Sequence, residues 1–368
     1  MEAGSPSRQE SSVRRIIDGV PLPEGMNSTL ACLNAALQTD CKAVNYDYLM
    51  GISSHAFRLQ FNWCPSAPHA QCGFDTFEPA LRATGFESRT YPLAAWEADT
   101  RKQRKPTDVE LKVARNAVME SIDAGIPVLC SSEECGVLAG YESVSADNPT
   151  GLLRRPGPLG PPPAHDAPYV DVLKELPWGV CVLRESGQEP DRRQSIIWSL
   201  RTGVCNARKS EQDSYAMGFA AWKVWIRELG DLRPIIGRSQ QHLDKFDTDE
   251  SAPFEIQLGN AWCYDSLIDA RRCAAGYLRS VSGTLGGEAS EHCEAAANSY
   301  DEVLAALMQG VDCPTRIAPY PWMEDQAWTQ DRRNDQADRL RAALEHEETA
   351  IADLDRALGA AGVTEERF

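Results

Sequence analysis

The spacing of apolar residues changes along this chain and then changes back, and that order restricts the architectures open to it. Early segments repeat at helical intervals. Asn27 to Gln38 carries Leu30, Leu33, Ala36 and Leu37 on one stripe behind a capping residue, Asn27 or Ser28. Tyr46 to Gly51 and Phe77 to Thr84 read as short helices, the latter stopped by Gly85. Thr107 to Ala124 opens on a Thr107-x-x-Glu110 capping box and closes at Gly125. Strand-like runs follow at Ile126–Cys130, Gly136–Tyr141 and Val180–Leu183. Helices first and strands after them predict an α+β arrangement rather than an alternating βαβ wind.

Past the polar stretch from Glu185 to Arg193 the helical period returns. Tyr215, Gly218, Trp222, Trp225 and Leu229 share one stripe, and Tyr264, Leu267, Ile268, Ala274, Ala275 and Leu278 another. Leu340, Leu344, Ile351, Leu354 and Leu358 mark an amphipathic helix near the C-terminus. Three regions are expected: an extended or disordered start over 1–19, an α+β domain over 20–188 and a helical domain over 189–368. Arg101 to Pro106 and the proline-dense Arg154 to Pro168 read as exposed excursions. No repeat of fixed period is visible. Gly283, Gly286 and Gly287 lack the following Lys-Ser/Thr of a phosphate loop.

Charge narrows the function classes. The 54 acidic residues outweigh the 37 basic ones, for a net charge of -17. Such a field opposes nucleic acid and anionic membrane surfaces. No apolar run approaches the roughly 18 residues of a membrane span, and Met1 to Arg15 lacks the apolar core of a secretory signal. A cytoplasmic, reducing location is the expectation. The 12 cysteines do not form the pattern of a small disulfide scaffold. Cys130, Cys181 and Cys273 sit in apolar stretches and read as buried thiols.

Cys32 stands out for chemistry because it lies early in the Asn27–Gln38 helix. There the macrodipole and free backbone N–H groups favour a thiolate. The run Met26-Asn27-Ser28-Thr29-Leu30-Ala31-Cys32-Leu33-Asn34-Ala35-Ala36-Leu37, followed by Tyr46-x-Tyr48-Leu49-Met50-Gly51, resembles the start of a papain-like domain. It is similar to the N-terminal domain of the butirosin-biosynthesis acyltransferase family and, more distantly, to bacterial leader-processing cysteine peptidases. Gly125-Ile126-Pro127-Val128 and Val137-Leu138-Ala139-Gly140-Tyr141 stand where such domains carry a Gly-x-Pro-Val strand and a strand ending in Gly-Tyr. The resemblance spans roughly residues 20 to 185. It implies a papain-like fold with Cys32 as nucleophile, attacking a thioester or amide carbonyl without a cofactor.

One departure weighs against that mechanism. Papain-like enzymes hold a histidine on the strand before Gly-Tyr, and here that position falls at Glu134, between Glu133 and Cys135. A carboxylate beside a thiol raises its pKa. A histidine from a loop, His55, His69 or His165, would have to serve instead. The segment Phe61 to Asp75 is compositionally unusual, and Cys64-x4-His69-x2-Cys72 offers three zinc ligands but no local fourth. It reads better as an ordered loop lining a groove, with Trp63 as a wall and no metal.

Cys32, Glu134 and His165 are therefore the candidate catalytic residues, and Asn27, Trp63, His69 and Tyr141 the candidate binding residues. Trp198, Trp222, Trp225, Trp262, Tyr264, Arg271, Arg272 and Tyr277 frame either a pocket or the core of a bundle. The tail helix alternates acidic and basic residues, the pattern of a solvated surface or a homo-oligomer contact. Two functions follow. One is a cysteine-dependent acyltransferase or hydrolase acting on a small-molecule, acyl-carrier or peptide substrate. The other is a papain-like scaffold without catalysis that binds a small metabolite, peptide or carrier protein.

Overall fold

The computed structural model describes residues 13–38, 44–64, 67–69, 74–93, 95–96, 103–131, 135–145, 148–156, 171–173, 178–232, 254–323 and 327–363. Helices and antiparallel sheets are combined in an α+β fold. The first elements are β1 (Val13–Ile16), α1 (Ser28–Leu37), α2 (Tyr46–Ile52), β2 (Gln60–Phe61), α3 (Phe77–Ala83), β3 (Phe86–Pro92), β4 (Ala95–Trp96), β5 (Gln103–Arg104) and α4 (Asp108–Asp123). Strands β6 (Val128–Ser131), β7 (Cys135–Ser145), β8 (Asn148–Pro156), β9 (Asp171–Leu173) and β10 (Gly179–Glu185) follow. The remainder is α5 (Arg192–Arg208), β11 (Glu211–Gln212), β12 (Tyr215–Met217), α6 (Gly218–Gly230), α7 (Phe254–Leu285), α8 (Gly287–Leu307) and α9 (Gln330–Ala360). Among the described residues no helix is long and apolar enough to cross a membrane.

The chain divides into two compact units: residues 1–46 with 84–189, and 47–83 with 190–368. The division differs from the expected 20–188 and 189–368. The second unit takes in Asp47 to Ala83, and the reason is visible in its packing. Arg271 of α7 donates from Nη1 to the carbonyls of Ala56 (2.7 Å) and Arg58 (3.3 Å). Strand β2 pairs with β12, Phe61 opposite Ala216, and the Phe61 ring stacks on Trp225 at 4.8 Å. Tyr277 packs so closely on Gly51 that a Cβ there would lie 1.9 Å from the ring.

The first unit is built on one sheet in the order β3-β10-β6-β7-β8-β9, with β1 added beside β7. Helix α4 starts on the Thr107–Glu110 capping box, present in both directions. It lays Ala114, Val118 and Ile122 against Val128, Cys130, Leu138, Tyr141 and Val180. Strict alternation would send Leu138 and Tyr141 to opposite faces. A register shift between Leu138 and Gly140 brings both to the α4 face. Helix α1 packs on β6 and β7.

The sequence placed strand β7 at Gly136–Tyr141, and it runs longer, to Ser145. Strand β3 went unread because its residues alternate little and are half exposed. It is an edge strand, held by its ladder to β10. Strand β8 ends at Pro156, inside the segment read as an excursion from Arg154.

In the second unit α9 packs against α5, α6 and α8, and α7 against α8. Trp222, Trp225, Tyr264 and Tyr277 are fully buried. These rings form the bundle core rather than the walls of a pocket. Tyr215, placed on a helical stripe by its spacing, instead lies in β12. Gln212 pairs with Tyr215 across a tight turn in which Asp213 has φ 46°, and the helix begins only at Gly218.

Candidate functional site

Helix α1 begins where its sequence dictates. The Asn27 side chain accepts from the Leu30 N–H at 3.1 Å, and its own N–H donates to the Tyr46 hydroxyl at 2.9 Å. The Tyr46 ring occupies the space where a Cβ on residue 25 would project, and φ there is 126°, so only glycine fits. Asn27, a candidate binding residue, is thus spent on the cap.

Cys32 is the fifth residue of this helix, beyond the turn whose N–H groups are free. It is 1% exposed, among Leu30, Ala31, Leu33, Ala35 and Ala36 of its own buried helix. Burial pushes its thiol well above the ordinary range. Cys135 and Cys130 push it further, and Arg154 opposes them only partly. The expectation of a thiolate stabilised at a helix start is corrected on this point: desolvation of the charged form outweighs the dipole.

The remaining candidates scatter. Glu134 and His165 lie outside the described residues, as does Cys72. Tyr141 is part of the core under α4, and its hydroxyl donates to Asp123 Oδ1 at 2.9 Å. Trp63 and His69 belong to the second unit, whereas Cys32 belongs to the first. Trp63 donates from its indole N–H to Glu228 Oε2 at 2.8 Å, and its backbone presses on Gly259 of α7. His69 packs beside His55, ring centroids 5.5 Å apart, and edge-on to Trp262. Burial lowers the His69 pKa to about 4, and that of His55 well below the usual imidazole range. Both rings are neutral packing elements near pH 7. Among the described residues no group of three or more His, Cys, Asp or Glu side chains is placed to hold a metal.

The first unit does contain a cleft of about 390 Å³, at the C-terminal end of α1. Ala36 and Leu37, Phe86, the Ala124–Pro127 turn, Leu183 and Glu185 line it. Ala36 lies one helical turn beyond Cys32, so the cleft opens past the buried thiol rather than over it. Its lining side chains are apolar except for the exposed Glu185, while the surface of the cleft is divided almost evenly between polar and apolar atoms. Such walls suit a small molecule with a hydrocarbon body and a cationic or donor end. Sequence reading flagged the turn through Gly125 and Pro127 but not Phe86 or Glu185, because those two meet only through the β3–β10 ladder.

One residue passed over in the sequence gains weight. Cys135, next to Glu134, opens β7 and places its Sγ 3.7 Å from Thr29 Oγ1 on α1. No protein-family model and no curated protein matches the sequence.

Proposed function

We propose that this chain is a non-catalytic scaffold of papain-like type that binds a small molecule, with Cys32 kept as a core residue. The observation that carries this reading is the burial of Cys32 to 1% exposure with its thiol held in the protonated form. A nucleophilic cysteine needs its thiolate and a path for the carbonyl. This thiol lacks both, and among the described residues of its unit there is no histidine. The papain-like relationship rests on the sequence motifs. The α1-on-sheet arrangement and the strand through Val137–Tyr141 are compatible with it.

The cleft beside α1 is the binding place in this reading. The ligand class is a small amine with an apolar body, its cation directed to Glu185. Ligand-observed NMR with hexylamine, hexanol and hexanoate tests it on the full chain. The amine is expected to bind best and the carboxylate worst, with binding lost in an Ala36→Trp variant that fills the cleft. Equal binding of all three, or binding untouched by the tryptophan, would overturn the assignment. Cys32-dependent hydrolysis of a simple thioester would restore the enzyme reading.

A further inference from the structure

The place where a papain-like enzyme would set an imidazole against its nucleophile is flanked here by a second thiol. Cys135 Sγ lies 3.7 Å from Thr29 Oγ1. Thr29 and Cys32 are three residues apart on α1 and share a face. Helical side chains lean toward the N-terminus, so the Cys32 sulfur points back over the turn that carries Thr29. Cys135 is anchored over that same turn, at the start of β7 opposite Ser131. Cys130 is placed differently, in the cluster under α4 with Ala114, Val118 and Leu138. Both Cys32 and Cys135 are free thiols, the first buried and the second half-buried.

We propose that Cys32 and Cys135 form a reversible dithiol–disulfide pair that locks α1 to β7 when the protein meets a peroxide. Cys135, the more accessible, reacts first. Its thiolate sulfur attacks one peroxide oxygen, the O–O bond breaks, and a sulfenic acid and water result. The Cys32 sulfur then bonds to the Cys135 sulfur, the Cys32 proton joins the departing hydroxyl, and a second water leaves. Two electrons pass from the two thiols to one peroxide, and a dithiol reductant reverses the process. Burial keeps Cys32 protonated and shielded, so it takes no part until Cys135 has been oxidised. A link of this kind joins segments far apart in sequence, the case in which cross-linking restricts the unfolded chain most.

The inference is independent of ligand binding in the cleft, and its test reads oxidation rather than binding or turnover. The full chain is treated with hydrogen peroxide, quenched by alkylation and digested without reductant. The expected product is a peptide joining Cys32 to Cys135, lighter by two hydrogens, with a raised Tm that dithiothreitol reverses. Cys135→Ser should abolish both changes while Cys64 and Cys205, which are exposed, still react. Circular dichroism of that variant establishes that it folds, and the wild-type peptide map stands without it. A link from Cys32 to Cys130, or Cys32 and Cys135 both still alkylated singly by denaturing treatment after oxidation, would overturn the pairing.

Discussion

The two units bury polar groups in opposite ways. The first hides Cys32 and Cys130 among hydrocarbon and sheet. A thiol is a weak donor, so sealing it costs little as long as it stays protonated. The second hides a full ion pair. Arg271 grips Glu347 through Nε and Nη2 at 2.8 and 2.7 Å, with 0% and 2% of the side chains exposed. Its Nη1 donates to the carbonyls of residues 56 and 58. Nearby in sequence, Asn260 and Gln336 exchange amide hydrogen bonds and receive the indole N–H groups of Trp225 and Trp328. Charges and amides in a core must be paired or they destabilise. Paired in this way, they also fix which backbone segment sits on which helix. The contrast explains why the helical unit recruits residues 47–83, while the sheet unit surrounds Cys32 and Cys130 mainly with apolar side chains.

The comparison is open to attack by mutation. The largest effect is expected at the ion pair: Glu347→Ala strands a buried guanidinium and should cost about 3–5 kcal/mol in urea unfolding. A loss under about 1 kcal/mol would mean that the pair is hydrated and that the two units do not differ in this way. In the sheet unit, Leu138→Ala should cost about 3 kcal/mol, by lost transfer energy and a cavity under α4. Gln336→Ala removes the acceptor of the Asn260 Nδ2 amide and of the Trp328 indole N–H and should cost about 2 kcal/mol.

A smaller effect concerns acid. His69 titrates near 6.5 when unfolded and at about 4 when folded, chiefly because it is buried, with Arg58 adding to the depression and Asp269 opposing it. Between those values the unfolded chain binds the extra proton. Titration of His69 therefore has no effect on stability well above pH 6.5 and costs increasingly more as pH falls toward 4. His69→Leu should flatten that limb of the stability profile. An unchanged slope would show that the ring is hydrated.

Much of the local architecture was legible in the sequence, because local rules set it. The Thr107–Glu110 box, the Asn27 cap and the stops at Gly85 and Gly125 all depend on residues within one helical turn. What escaped reading depends on distant partners. The recruitment of residues 47–83 hangs on Arg271 and Glu347, 76 positions apart. The placement of Tyr141 hangs on an irregularity in the β7–β8 ladder that has no signature in composition. For the candidate site the same holds. That Cys32 lies on a helix near its start follows from the residues around it. That its sulfur is sealed follows from β6 and β7, folded onto α1 from a hundred residues further on.

The most direct test of the sealed thiol is iodoacetamide labelling of the native protein across pH, with each cysteine followed by peptide mapping. The account predicts that Cys64 and Cys205, which are exposed, label first, while Cys32 stays unlabelled until the protein is denatured. Selective alkylation of Cys32 below neutral pH, ahead of the exposed cysteines, would contradict the account and identify Cys32 as an activated nucleophile.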